Sequence, residues 1–502
     1  MRYSACKNTK NYQLSVINSQ FFVPLHTIMW MFAIILVYFA VLFVISRLTG
    51  RRATNDTFFR GNRQSPWYMV AFGMIGASIS GVTFVSVPGM VTGIDMTYMQ
   101  TCLGFILGYI AVAFVLLPLY YRLNLTTIYS YLGMRLGPRS YKTGASFFLL
   151  SKMAGAVARF YVVCMILQQF VFDQMGIPFV VTISVMVILI WIYTRGGGIK
   201  TLVWTDAFQT LCLFSALLLI IYNVTGELGL SIPDAVNAIA ADEHSRIFVF
   251  DDWVSKQNFW KQFLSGVFIV IVMTGLDQDM MQKNLTCKSL REAQKDMCTY
   301  GVAFVPANLL FLSLGVLLVM LGESGRADAL LPGYVQRSGL AVLIPFSIGI
   351  VAAAFSSADS ALTSLTTSYC VDIRGRAGDE QLRKKTHLAV SGLFVVMVLL
   401  FRMLNSTSVI DAIYVMCGYT YGPLLGLFAF GMLTKLKPRD RFVPYICIAS
   451  PLLCYAIDTI VWHLWGYRFG YELLMMNGAL TFLALLAVSS PGTPSAECQT
   501  AS

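Results

Sequence analysis

Two stretches of small polar residues, far apart in the chain, carry oxygen atoms inside otherwise apolar segments. The first is Gly76-Ala77-Ser78-Ile79-Ser80-Gly81-Val82-Thr83. Paired Gly and Ser loosen a helix, and an unwound turn frees backbone carbonyls, hard donors suited to an alkali cation. The same string would also serve as a small-residue packing seam between helices. The second stretch runs Ala352-Ala353-Ala354-Phe355-Ser356-Ser357-Ala358-Asp359-Ser360 and continues through Thr363, Ser364, Thr366, Thr367 and Ser368. Ser356, Ser360 and Ser364 recur four residues apart and so share one helical face, with Asp359 beside the stripe. Hydroxyls alone can bond back to their own helix. Hydroxyls next to a carboxylate in an apolar segment point to a cation site.

Three further ionisable groups sit where charge is costly. Asp206, after Thr205, lies about seven residues inside an apolar segment that opens at Ile199, roughly 10 Å in. Arg159 is near the middle of another, with Lys152 seven residues earlier on nearly the same face. Arginine stays charged, so Arg159 needs an anion, which could be Asp206, Asp359 or a substrate carboxylate. Lys152, closer to the segment end, is expected to snorkel to the interface.

The elements that must position these groups are membrane spans. The chain has 502 residues, 57% hydrophobic and 12% charged, too little charge to cover a soluble surface of that size. Thirteen runs are long and apolar enough to be read as spans: 29–48, 67–87, 98–121, 143–173, 177–194, 199–224, 259–281, 296–321, 341–373, 386–404, 409–433, 442–463 and 472–488. The net charge of +11 follows topology. Of 36 Lys and Arg, 24 fall in alternate loops and span ends at 47–63, 122–142, 195–200, 283–295, 374–385 and 435–441. By the positive-inside rule that side is cytoplasmic, with the N-terminus outside and the C-terminus inside a cell membrane. No nucleic-acid surface is needed to explain the charge. The 11 Cys are scattered without a C-x-x-C pair, and the four His form no metal pattern.

Residues 1–28 read as a polar tail or an upstream-start artefact, 29–48 as an accessory span, 442–488 as two more, and 489–502 as a cytoplasmic tail. Between them the core, 57–435, divides into two five-span halves, 67–224 and 259–433. They start on opposite sides of the membrane, as an inverted repeat would, and transporter sites built on such repeats lie near the midplane. The expected fold is all-α, with a discontinuous first helix in the core. Two interfacial helices are expected, at 125–138 and 286–296, and a short helix within the acidic external loop 225–258. The cytoplasmic loops are short, and none could hold a catalytic or signalling domain.

The strings GASIS-x-x-T-F, GGG-x-x-x-x-x-W-T-D (196–206), DQ-x-x-x-Q-x-x-x-x-x-K-S-x-x-x-A (277–293), AAAFSSADSALTS and GYTYGPLLGLF, in this order, make the chain resemble the sodium/solute symporter family from about residue 57 to 435. The resemblance implies a five-plus-five inverted-repeat bundle and co-transport of sodium. It implies a main sodium site from carbonyls of Gly76, Ile79 and Ala353 with hydroxyls of Ser356 and Ser357. A second sodium site, present in some members, maps onto Asp206, Ser356, Asp359 and Ser360, although Asp359 stands where some relatives have Ser. Ser78, Ser80, Thr83 and Arg159 match substrate positions of sialic-acid-carrying members, which implies an anionic, carboxylate-bearing solute. Ser78 and Val82 replace the Asn and Glu of sugar carriers, against a plain hexose. The expectation is sodium-coupled import of a small organic anion by alternating access, not an enzyme. A proton-coupled symporter of the same fold and a non-transporting solute sensor are the alternatives. The sequence carries no signature of oligomeric state.

Overall fold

The computed structural model describes residues 25–51, 53–404, 409–467 and 469–490. The tails expected at 1–28 and 489–502 lie largely outside the described residues. The fold is almost wholly helical, and its membrane helices are numbered here in chain order. They are α1 (Leu25–Thr49), α2 (Trp67–Ser78), α3 (Gly81–Ile94), α4 (Tyr98–Ala111, prolonged to Arg122), α5 (Pro138–Leu167), α6 (Phe179–Thr194), α7 (Ile199–Glu227) and α8 (Phe259–Val270, prolonged to Gly275). Then follow α9 (Gln278–Asn284), α10 (Leu290–Met320), α11 (Ala327–Arg337), α12 (Leu340–Ser368), α13 (Glu380–Leu404), α14 (Val409–Leu433), α15 (Val443–Trp465) and α16 (Leu473–Ala487).

Among the described residues, seven helices are long and apolar enough to cross a membrane, and eight if the bent pair α8–α9 is one span. Four further apolar helices among the described residues have only 10–17 residues, so helix length by itself does not reproduce the thirteen spans expected from the sequence. One of the seven, Gly81–Arg122, has 42 residues, about 63 Å of helix and twice a bilayer core. It is interrupted at Asp95, whose backbone (φ 54°, ψ −151°) leaves the helix, so it holds two segments.

Both halves of the core begin with a discontinuous helix. In the first half α2 stops at Ser78 and α3 restarts at Gly81, with extended backbone at Ser80 (φ −72°, ψ 168°). Glycine and serine weaken the helix here, Gly through backbone entropy and Ser by competing for backbone groups. In the second half α8 and α9 meet at an angle of 70°. Asp277 caps the new helix, its carboxylate accepting the Asp279 N–H at 2.8 Å, where a negative charge meets the positive helix end.

Other local expectations fare unevenly. The external loop does contain a short helix, Ile232–Ala241. The stretch 125–138 forms only Ser130–Arg135, anchored where Thr127 and Tyr141 hydrogen-bond Asp372 at the end of α12. No separate helix forms at 286–296. Ser289 accepts the Glu292 N–H and starts α10 directly, so these residues are the first turns of a membrane helix, as the cap before an apolar run dictates.

Candidate functional site

Helix α2 can approach α7 closely because residue 76 lacks a side chain. A Cβ on Gly76 would press into Thr210, within 2.8 Å of its Cβ and 3.0 Å of its Cα. Just beyond, the Ser80 N–H bonds the Ser78 carbonyl at 3.0 Å and so does not close the helical bond to Gly76. The Gly76 and Ala77 carbonyls are thereby left at an open helix end. The Ser357 hydroxyl of α12 donates to the Ala77 carbonyl at 3.4 Å. The two distant stretches of sequence therefore meet. Gly76, Ile79, Ala353 and Ser356 are buried there, and Ser357 is half-buried.

A step along α12, the carboxylates acquire partners that the sequence reading did not assign. Asp206 on α7 accepts the Ser356 hydroxyl on one oxygen at 2.7 Å. Its other oxygen lies 2.8 Å from the ammonium of Lys283, and both side chains are almost fully buried. Lys283, counted above among the loop charges, instead projects from α9 into the core. The apolar run of the second half ends at a bend rather than at the membrane surface, and this is why. Asp359 accepts the Tyr193 hydroxyl of α6 on one oxygen at 2.5 Å. Its other oxygen and the hydroxyls of Ser360 and Thr363 have no hydrogen-bond partner among the described residues.

On the other side of the break lies a cavity of about 140 Å³. Ser78, Ser80, Thr83, Arg159, Lys152 and Asp277 are among the residues lining it. The four proposed substrate contacts therefore share one space. Ser78 hydrogen-bonds the Tyr300 hydroxyl, which also accepts from Tyr109 at 2.7 Å. Lys152 does not snorkel. It is buried and pairs with Asp279 at 2.6 Å and Asp277 at 3.3 Å, and Tyr421 donates to Asp277 at 2.6 Å. No salt bridge among the described residues involves Arg159; it acts on Asp279 only at longer range. Neither Asp206 nor Asp359 reaches it. The sequence signal for the Lys152 partners was the pair of carboxylates in Leu276-Asp277-Gln278-Asp279, read only as the end of a span. Gln278 and Gln282 of the same motif fasten α9 by bonding the Thr126 and Phe59 carbonyls at 3.2 and 2.9 Å.

A helical membrane bundle with a broken helix, opposed hydroxyls and a polar central cavity is the architecture of a secondary transporter. The chain matches the model of the sodium:solute symporter family over residues 58–437, and it belongs to that family. It is a multi-pass membrane protein and a transporter, not an enzyme. It is 26% identical over 436 residues to the sodium/sialic acid symporter SiaT of Proteus mirabilis, covering 80% of this chain and 84% of that one. It is 27% identical over 417 residues to the sodium/sialic acid symporter NanT of Aliivibrio fischeri, with 77% and 79% covered. The fold is shared with a solved Na+-coupled sialic acid symporter in a substrate-bound outward-open state, at a TM-score of 0.77, 20% identity and coverage of 92% and 99%. It is shared more distantly with the nucleobase-cation-symport transporter Mhp1, at 0.56, 14% identity and coverage of 86% and 93%.

Proposed function

We propose that this chain imports a small carboxylate-bearing solute together with sodium by alternating access, with its N-terminus outside and its C-terminus in the cytoplasm. The observation that carries the reading is the two-sided helix break at 79–80. One side faces Ser357 through the Ala77 carbonyl, and the other lines the cavity that holds Arg159. Sodium bound by the carbonyls of Gly76, Ile79 and Ala353 and the hydroxyls of Ser356 and Ser357 braces the broken helix against α12. The bracing holds Ser78, Ser80 and Thr83 in position for the substrate. A guanidinium in a low-dielectric cavity selects an anion, and its planar fork suits a carboxylate. The relatives named for sialic acid support that choice, since sialic acid carries such a group. When the inner side opens, the two sets of sodium ligands separate and both cargoes leave. One elementary charge moving through about 100 mV contributes about 2.3 kcal/mol to this uptake.

The test is uptake into proteoliposomes from a panel of organic acids that includes sialic acid, under an inward sodium gradient. Sodium-dependent accumulation of at least one carboxylate is expected. Accumulation driven equally by a pH gradient in sodium-free buffer would assign proton coupling, and sodium-dependent binding without accumulation would assign a sensor.

A further inference from the structure

Helix α5 presents a longer polar face to the cavity than Arg159 alone accounts for. Ser151, Gly155 and Arg159 recur every fourth residue, share one side of the helix and all line the cavity. Gly155 is buried, yet a Cβ built on it would meet no atom within 4 Å. A buried position with empty space before it borders a cavity, and this one stands midway between a hydroxyl and a guanidinium. Ser151 is 2% exposed, and its hydroxyl has no hydrogen-bond partner among the described residues. Helical serines can satisfy themselves on the carbonyl four residues back, as Ser347 and Ser391 do at 2.8 Å. Ser151 does not. Buried polar atoms are rarely left so, and the space that Ser151 lines is where a partner fits.

The two ends of this face differ in charge. Arg159 makes one end positive. Beside Ser151, the Lys152 ammonium is shared by Asp277 at 3.3 Å and Asp279 at 2.6 Å, one positive charge against two negative ones. A second carboxylate on the substrate would meet that excess at the unfavourable sign, whereas a hydroxyl, an amide N–H or an ammonium would not. Ile269, Met273 and Phe304 are also in the lining and give an apolar wall suited to a hydrocarbon segment. Positions 151 and 159 are about 12 Å apart along the helix axis, which limits the separation of the groups they hold. A six-carbon chain falls within that limit.

We propose that Ser151 and Gly155 form the far half of the substrate site. Arg159 holds the carboxylate, the space before Gly155 takes an apolar linker, and Ser151 accepts a hydrogen bond from a donor at the other end. The substrate class is an extended monocarboxylate with a hydroxyl, amide or ammonium tail, and dicarboxylates are rejected. This rests on the carboxylate reading of Arg159, and the test separates the two. The probes are hexanoate, ω-hydroxyhexanoate, ω-aminohexanoate and adipate, titrated calorimetrically into the purified full-length protein in sodium. The hydroxy and amino acids are expected to bind about tenfold tighter than hexanoate, and adipate weakest of all. Ser151→Ala is expected to bring ω-hydroxyhexanoate and hexanoate within about twofold of each other. Gly155→Leu fills the space and is expected to weaken every acid about tenfold or more, with sodium binding in the absence of acid as the control for folding. Gly155→Ala, whose methyl group meets nothing, is expected to act in the same direction to a smaller extent, and it carries the test if the leucine variant does not fold. Equal affinity for hexanoate and both tailed acids, adipate bound as tightly as hexanoate, a tail preference that survives Ser151→Ala, or wild-type affinities in both Gly155 variants would each overturn the proposal and leave a carboxylate site at Arg159. A wild type that binds sodium but none of the acids would overturn that site as well.

Discussion

Removing Lys283 should cost this protein more stability than removing almost any other lysine. Its ammonium and the Asp206 carboxylate are 2.8 Å apart, with side chains 2% and 1% exposed. At an effective dielectric near 20 their attraction is roughly 6 kcal/mol. Much of that offsets the desolvation of two ions, so the pair itself contributes little net stability. Lys283→Met, however, strands a buried carboxylate, at a cost of about 3–5 kcal/mol. Asp206→Asn strands the ammonium at a similar cost. The double variant buries no unpaired charge and should return to within about 1 kcal/mol of the wild type. Lys384 and Glu380 are also 2.8 Å apart but lie at the surface, so Glu380→Gln should leave unfolding unchanged and serves as the control. The assay is thermal unfolding of purified protein in detergent for the wild type, both single variants, the double variant and the control. A Lys283→Met protein that unfolds at the wild-type midpoint would refute the buried pair. So would a double variant as unstable as either single one, since then the loss would come from packing rather than charge.

Three other outcomes follow from the same geometry. Gly76→Ala pushes a methyl group into Thr210 and should destabilise the protein by about 1–3 kcal/mol, read as a lowered unfolding midpoint; an unchanged midpoint would mean the helices can part without penalty. Ser357→Ala should raise the sodium concentration needed for half-maximal uptake by about tenfold or more while the unfolding midpoint stays near wild type; unchanged sodium dependence would remove Ser357 from the site. Arg159→Gln should raise the KM for a carboxylate substrate by about tenfold or more and leave sodium binding in the absence of substrate unaltered; an equal loss of both would make Arg159 structural.

The all-helical membrane fold, the discontinuous helix near residue 79 and the two oxygen-bearing stretches were legible in the sequence. Hydropathy, helical spacing and Gly/Ser composition act locally, and a bilayer demands that backbone polar groups be satisfied within each segment. The pairing of the charges was not legible. Which carboxylate meets which ammonium depends on the 70° bend between α8 and α9 and on how closely α7 packs against α2. Hydropathy placed Lys283 at a cytoplasmic span end and Lys152 at a membrane surface, because a one-dimensional profile assumes that a span keeps going straight. The bend carries Lys283 to Asp206, and the Asp277–Asp279 turn reaches Lys152. Among the described residues that left Arg159 without a salt-bridge partner and Asp359 half satisfied. Residue types by themselves determined that ions and anions could be bound here. Only the tertiary packing decided which groups neutralise one another and which stay free, because electrostatic pairing in a low-dielectric core depends on distances of a few ångströms that sequence separation does not encode.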